Sequence, residues 1–333
     1  MPAKRSWVTL SIDLTLPSDF CVADVLAFHG RDAEAVSERV YTAAKGLSDT
    51  AFEQGVDKAL LWDGLPACLC IRFSANTLPT NTAHVILSVD TEEGELSAAC
   101  HKLWLSRLAF LSGHILGLHQ DLDNFEKHIA GHKELAGLVG RNKGLRVPLS
   151  VNPFEALCWA VTGQQISVSA AVSIRRRFIQ LLGIPHSSGL LCHPNIAAVA
   201  SANVDQLRSV GLSLGKASCL IALASAIQNQ TLDLPPPDSG ARVNAASAEV
   251  IRTSLLSIRG IGPWTVNYAL LRGFGYLDGS LHGDVAVRRS LQTLLGREQK
   301  ISADETEQWL AQLSPWRALV AAHLWAMQSD DGF

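Results

Sequence analysis

Apolar and polar residues alternate along SWVTLSIDLTL near the N-terminus, the period-two pattern of a half-buried strand. ACLCIRFS and AHVILSV are short β-rich runs separated by the turn-like ANTLPTNT. Before them, FCVADVLAFHGRDAEAVSERV places Val22, Val25, Leu26 and Val40 at helical spacing, with an interruption near Gly30. From GELSAACHKLWLSRLAFLSGHILGL onward the period becomes that of a helix, about 3.6 residues. The chain past residue 97 therefore predicts helices joined by short loops, among them GIPHSSGLLCHPN, LPPPDSG, YLDGSLHGD and LGREQK. The expected class is an α+β N-terminal domain followed by a mainly α-helical core.

Three helix starts carry explicit signals. Asn152-Pro153-Phe154-Glu155 supplies a capping residue, proline at the first helical position, and Glu three residues after the cap. Ser314-Pro315 predicts the same for WRALVAAHLWAM, and Gly262-Pro263 for the helix that begins at Trp264. TGQQIS interrupts a helical stretch, and Ser167 is placed to cap the next helix, with Ile174 and Phe178 on one side. GQQI then reads as an exposed joint between two helices.

With 333 residues, the chain is long enough for two or three domains and a sizeable core. Formal net charge is −3, which argues against a strongly basic scaffold but leaves room for a local basic face. Arg272, Arg288, Arg289, Arg317 and Lys216 are the candidates for one, although a solvated surface is the simpler reading of each. Seven dispersed cysteines with no CxxC predict reduced thiols in a cytoplasmic protein rather than a zinc or iron–sulfur site. Neither a signal peptide nor a membrane span is expected from the apolar runs.

The stretch LLSIRGIGPWTVNYALLRGFG raises the question of chemistry. A helix ends near Ile258, Gly260-Ile261-Gly262 turns the chain, and Pro263 starts a second helix. Glycines permit positive φ and expose backbone N–H groups. Those groups sit beside a helix N-terminus, where partial positive charge favours an anion. The turn can hold a phosphate without cationic side chains, although on the glycines alone a plain packed turn is the simpler reading. In SLHGDVAVRRSLQTLLG, Asp284 precedes a helix with Val287, Leu291 and Leu294 on one face, and its simplest role is an N-cap.

Leu255 to Gly262 resembles the helix-hairpin-helix DNA-binding motif. Together FEALCWAVTGQQISVSAA, GIGPWTVNYALLRG, DVAVRRSL and PWRALVAAHLW resemble the bacterial 3-methyladenine DNA glycosylase II family of the helix-hairpin-helix glycosylase superfamily, over most of the chain. The resemblance implies a TATA-binding-protein-like α+β domain over 1–98 and a helical glycosylase core over 99–333. That core has two lobes, about 152–274 with the hairpin and 99–151 plus 275–333, with the active-site cleft between them. It implies a monofunctional glycosylase that flips alkylated purines out of duplex DNA and hydrolyses the N-glycosidic bond. A non-catalytic damage-binding protein is the alternative. By the same resemblance Asp284 is the catalytic carboxylate, and its charge would be favoured by cap hydrogen bonds and by Arg288. Trp264, Tyr268 and Trp325, flanked by Gln164 and Val168, form the base pocket, and Gln165 is the intercalating wedge. Gly260, Gly262 and Thr265 meet DNA phosphate. The backbone carbonyls of Leu256, Ile258 and Gly260 hold a structural monovalent cation, Na or K, when DNA is bound, and no cofactor is implied for catalysis. Trp264 stands where related lyases carry lysine, so no lyase activity is expected. Val285 and His282-Gly283 depart from the family pattern beside Asp284; Val285 bears on pocket breadth and substrate preference, while His282 reads first as an exposed loop histidine. The partner is double-stranded DNA with alkylated bases, and the expected state is a soluble cytoplasmic monomer acting at the nucleoid.

Overall fold

Five antiparallel strands open the structure in the order β1-β5-β4-β3-β2. They are β1 (Ser6–Thr15), β2 (Glu38–Thr42), β3 (Phe52–Trp62), β4 (Leu65–Ser74) and β5 (Thr82–Thr91). The structure, a computed structural model, describes residues 6–42, 52–74, 81–92, 96–235 and 242–328. Most of ANTLPTNT and of LPPPDSG therefore lies outside the described residues. Alternation sets the register: Val8 faces Val89 and Leu10 faces Leu87 across β1 and β5, and one face of each strand reaches the core. β3 and β4 form a hairpin in which Trp62 pairs with Leu65 across Asp63-Gly64, both at positive φ.

The first helix, α1 (Val22–His29), stops at Gly30. Val40, expected at helical spacing after it, instead lies in β2 opposite Val56. The spacing is a coincidence spanning two elements, and pairing with β3 decides the conformation. α2 (Ala98–Ile115) buries Trp104, Leu108, Leu111 and Ile115 in the core of the sheet. The boundary expected at residue 98 thus separates α2 from the elements it packs on.

Helices dominate thereafter. α3 (Leu122–Ile129) and α4 (Ala136–Arg141) precede α5 (Pro153–Gly163) and α6 (Val168–Leu182). A small β6–β7 hairpin (Ile184–Pro185, Leu191–Cys192) follows, then α7 (Ile196–Ser201), α8 (Val204–Ser209) and α9 (Leu214–Gln228). α10 (Ala245–Leu256), α11 (Pro263–Phe274), α12 (Val285–Leu294), α13 (Ala303–Ala311) and α14 (Arg317–Ala326) complete the chain. Asn152, Ser167 and Gly262 occupy the expected N-cap positions, with Pro153 and Pro263 at the starts of their helices. Ser314 does not cap α14: its hydroxyl donates to Asp278 Oδ2 at 2.8 Å, and Trp316 takes the cap position. Asp278 Oδ1 accepts from the Arg317 backbone N–H at 3.4 Å and from Nε at 2.7 Å, so an acid from a neighbouring loop serves that helix end.

Two helical cores share α11. Val266, Ala269 and Leu270 pack with Leu157, Phe178 and Leu220, while Tyr268 and Leu271 pack with Phe125, Val287 and Leu319. Residues Thr265 through Gly273 are all buried. All seven cysteines are free thiols, and no helix among the described residues is long and apolar enough to cross a membrane.

A buried ionic cluster joins the sheet to the helices. Lys58 of β3, 3% exposed, donates to Glu38 of β2 at 2.5 Å and to Glu155 of α5 at 2.8 Å. Arg175 of α6 donates to the same Glu155 oxygen at 2.9 Å and to Glu38 at 3.3 Å. Glu155 does not close the reciprocal capping arrangement its spacing predicts, because this cluster takes its carboxylate. Burial alone would raise the Glu155 carboxyl, but Lys58, then His193 and Arg175, hold it at about 2. A carboxyl depressed in the folded state stabilises it above the unfolded value and loses that contribution as pH falls toward the folded value. Native stability should therefore decline from about pH 4.5 down to about pH 2. Glu155→Gln should cost about 3 kcal/mol at pH 7, since it leaves two buried cations to share the one carboxylate of Glu38, and should weaken the acid limb. Urea titrations of both proteins across this range measure the two effects.

Candidate active site

The two hairpin glycines do different things. Gly260 has φ of +97°, and a Cβ there would meet Cys219 Cβ at 3.1 Å. Gly262 has φ of −107°, a value open to any residue, and a Cβ there would meet nothing within 4 Å. The expectation of positive φ at both holds only for Gly260. Ile261 between them is buried among Leu255, Leu220 and Val266 and anchors the turn.

The joint after α5 is built onto this hairpin. Gln164 Nε2 donates to Gly260 O at 3.0 Å and to Thr265 Oγ1 at 2.9 Å. Lys216 Nζ donates to the carbonyls of Thr162 at 2.8 Å and Gln164 at 2.7 Å. With its chain held on both sides, exposed Gln165 adopts φ of +57° at the apex. Val168 begins α6 and is also exposed. Thr265 is 2% exposed and its hydroxyl is engaged by Gln164, so its side chain faces inward rather than toward solvent. Ile258 O accepts from Ile261 N at 3.0 Å, which leaves it, like Gly260 O, a second lone pair.

Asp284 caps α12: Oδ1 accepts from Ala286 N at 2.8 Å and Val287 N at 3.1 Å. Oδ2 accepts from Trp264 Nε1 at 2.9 Å, and Oδ1 also accepts from Trp325 Nε1 at 3.3 Å. Two indoles from α11 and α14 therefore clasp one carboxylate at a helix N-terminus. Tyr268 lies one turn along α11, its ring centroid 5.4 Å from Trp264 and 6.3 Å from Trp325. Arg288 forms no ion pair with Asp284; the tryptophan N–H groups meet the carboxylate instead. His282 interacts with Ser280 at 3.0 Å and Glu307 at 3.7 Å, and Val285 is exposed beside the carboxylate.

The expected basic face is thinner than its residue count. Arg272 is buried, with Nη1 on Pro148 O at 2.7 Å, Arg317 is held by Asp278, and Lys216 is spent on carbonyls.

A cavity beside Tyr268 is walled by Phe28 and Arg31 from the N-terminal region and by Trp159 and Val172 from α5 and α6. An expected cleft between the two helical lobes supplies no wall from the first 98 residues. Arg31 lies over the rings of Phe28 at 4.5 Å and Trp159 at 5.4 Å. Sequence reasoning missed all three residues. Trp159 lies in α5 about one turn before the GQQI joint and its phase could place it, but nothing local links Phe28 or Arg31 to Tyr268.

Residues 158–315 match the family described as HhH-GPD superfamily base excision DNA repair protein. That part of the helical core is thus similar to the helix-hairpin-helix superfamily, with a small antiparallel sheet region before it. DNA-3-methyladenine glycosylase 2 of Escherichia coli (strain K12) is 30% identical over 195 residues, 57% of this chain and 64% of that protein. DNA-3-methyladenine glycosylase of Bacillus subtilis (strain 168) is 28% identical over 185 residues, 55% and 59% respectively. The matches span less than two thirds of the length of these curated relatives. A solved 3-methyladenine DNA-glycosylase from Archaeoglobus fulgidus shares the fold over 96% of this chain and 98% of its own, at a TM-score of 0.71 and 19% identity. An 8-oxoguanine glycosylase/lyase from Clostridium acetobutylicum, in complex with dsDNA, shares it over 98% and 97% at 0.65 and 10% identity.

The glycine geometry separates two costs. Gly260→Ala should lower stability by about 1–3 kcal/mol, from positive φ and the Cys219 contact. Gly262→Ala should stay within about 0.5 kcal/mol of the parent. Thermal unfolding of both variants decides whether Gly262 has any folding role.

Proposed function

We propose that this chain is a monofunctional DNA glycosylase that removes alkylated purines, of the 3-methyladenine and 7-methylguanine type, from duplex DNA. The observation that carries the reading is Asp284, a carboxylate fixed by two amides and two indoles beside an aromatic cluster. The names of the relatives point the same way.

The reaction follows from these parts. A base inside a duplex is out of reach, so it is flipped out at a cost of a few kcal/mol. Gln165, at the apex of the joint, fills the gap. Trp264, Tyr268 and Trp325 wall the flipped base, with Gln164 and Val168 at its rim. Their faces attract a positively charged purine by about 2 kcal/mol when desolvated. As the N-glycosidic bond lengthens, the sugar gains oxocarbenium character. A carboxylate about 4 Å away contributes roughly 4 kcal/mol at an effective dielectric near 20, or about a thousandfold in rate. Asp284 also orients the attacking water. Asp284 and water suffice for hydrolysis in this reading, without a catalytic cofactor.

Gly260 and Gly262 present backbone to a DNA phosphate, the open side of Gly262 allowing close approach. Thr265 supports that contact through its backbone, since its hydroxyl is taken. The carbonyls of Leu256, Ile258 and Gly260 would hold a monovalent cation that neutralises phosphate charge. One chain carries the whole site, so the working unit is a monomer that initiates base excision repair. The lobes are read as about 152–274 and the remainder of 99–333, with α2 docked on the sheet.

Asp284→Asn isolates the charge. Its Oδ1 can still cap α12, because Asn caps about as well as Asp. Its amide nitrogen would face the Trp264 N–H, so one hydrogen bond worth about 1 kcal/mol is lost. Single-turnover excision of 3-methyladenine should fall by roughly a hundredfold or more, with duplex binding retained. The parent product should be an intact abasic site. Near-parental excision would leave Asp284 as a cap only and favour a non-catalytic damage-binding protein, and a borohydride-trapped adduct would point to a lyase. Gln165→Ala should weaken binding to an abasic duplex by roughly tenfold, about 1.4 kcal/mol; unchanged binding and excision would remove Gln165 as the wedge.

A further inference from the structure

Lys216 stands against the dipole of its own helix. Ser213 caps α9, so Lys216 sits in the first turn, where a helix N-terminus disfavours a cation. Burial pulls its ammonium below the ordinary lysine value, and no carboxylate among the described residues offsets that. Its acceptors are instead the carbonyls of Thr162 at 2.8 Å and Gln164 at 2.7 Å. Both lie at the C-terminal end of α5, where the last carbonyls have no partner within the helix and carry partial negative charge. The charge is explained by the segment it holds and not by the helix that carries it.

That segment leads directly into Gln165. Gln165 has φ of +57°, a left-handed conformation that is costly for a residue with a Cβ and persists only where its surroundings enforce it. The residue before it is held at both ends. The Gln164 carbonyl accepts from Lys216, and the Gln164 side-chain amide donates to Gly260 O at 3.0 Å and to Thr265 Oγ1 at 2.9 Å. Beyond it, Ser167 caps α6 by accepting from Ala170 N at 3.3 Å. The gripped oxygen belongs to the peptide that joins Gln164 to Gln165. A peptide is planar, so holding its oxygen also sets the N–Cα axis from which the Gln165 side chain departs.

We propose that Lys216 is a positioning residue for Gln165: through the Gln164 carbonyl it keeps that side chain aimed into the gap left by a flipped base, without itself touching DNA. The inference rests on the wedge reading of Gln165 above. Two other roles for this ammonium leave different signatures. A plain staple between α5 and α9 changes folding stability but is not coupled to Gln165. A phosphate contact weakens binding to every duplex alike and lowers the slope of log affinity against log salt by about one.

The test is binding to an abasic duplex and to an undamaged duplex, over a range of salt, by the parent, Lys216→Met, Gln165→Ala and the double variant, with thermal unfolding of each. Met keeps an unbranched apolar stem and removes the donors. Lys216→Met should weaken abasic binding by roughly threefold to tenfold. Binding to the undamaged duplex should stay within about twofold, with the salt slope unchanged. Added to Gln165→Ala, Lys216→Met should cost less than about twofold more, because the side chain it aims is gone. Equal losses on both duplexes, a reduced salt slope, or losses that multiply in the double variant overturn the inference and leave Gln165 as the wedge. Parental abasic binding by a Lys216→Met protein that melts at lower temperature overturns it as well, making Lys216 a staple. Lys216→Gln, which keeps one donor group, carries the same comparison if Lys216→Met does not fold. Abasic binding unchanged by Gln165→Ala removes the wedge reading and this inference together.

Discussion

Lys58 cannot be buried alone, and that single constraint ties the molecule together. An ammonium in the interior needs opposite charge and hydrogen bonds. The two carboxylates that supply them come from different parts of the fold, Glu38 from the sheet and Glu155 from α5. Arg175 then balances the second carboxylate. The two halves of the protein are thereby held by directional contacts as well as by apolar packing. Because α1 packs on β2 and β3, the clamp also fixes where Phe28 and Arg31 sit relative to Tyr268. A pocket wall supplied by another domain is only as well defined as the joint that carries it.

At Asp284 the structural duty and the proposed chemical one coincide. The carboxylate completes a helix N-terminus by accepting from the Ala286 and Val287 amides. The indole N–H groups of Trp264 and Trp325 orient it from the other side while their rings turn toward Tyr268. One set of contacts therefore shapes both the acid and the aromatic surface around it. This is why a lone aspartate at the start of a helix is ambiguous in sequence: the simple role and the chemical role use the same atoms.

Legibility followed the range of the determining interaction. Local signals are legible: alternation in β1, β4 and β5, the caps at Asn152 and Ser167, and Pro263 opening α11. Val40 departs from its helical spacing because its conformation is decided by pairing with Val56, and Ser314 from a cap because Asp278 captures its hydroxyl. β3 went unread although Asp63-Gly64 marks its hairpin; its central Gly55 and charged Asp57 and Lys58 break the apolar pattern. In the site, Trp264, Tyr268 and Asp284 sit on consecutive elements and carry a family pattern. Phe28 and Arg31 join them only through tertiary docking, and no spacing rule spans that distance. The inward turn of Thr265 likewise depends on Gln164, a residue from another helix.

The burial of α11 on every side has an evolutionary consequence. This one helix begins at the hairpin, carries Trp264 and Tyr268, and is packed into two cores at once. A substitution that reshapes its pocket face disturbs the cores and the hairpin that it also positions. Diversification of the pocket is therefore channelled away from it. Residues with fewer obligations, such as exposed Val168 and Val285 and the cavity wall contributed by Phe28, can vary without dismantling the frame. In descendants of this scaffold, the centre should change slowly and the rim quickly.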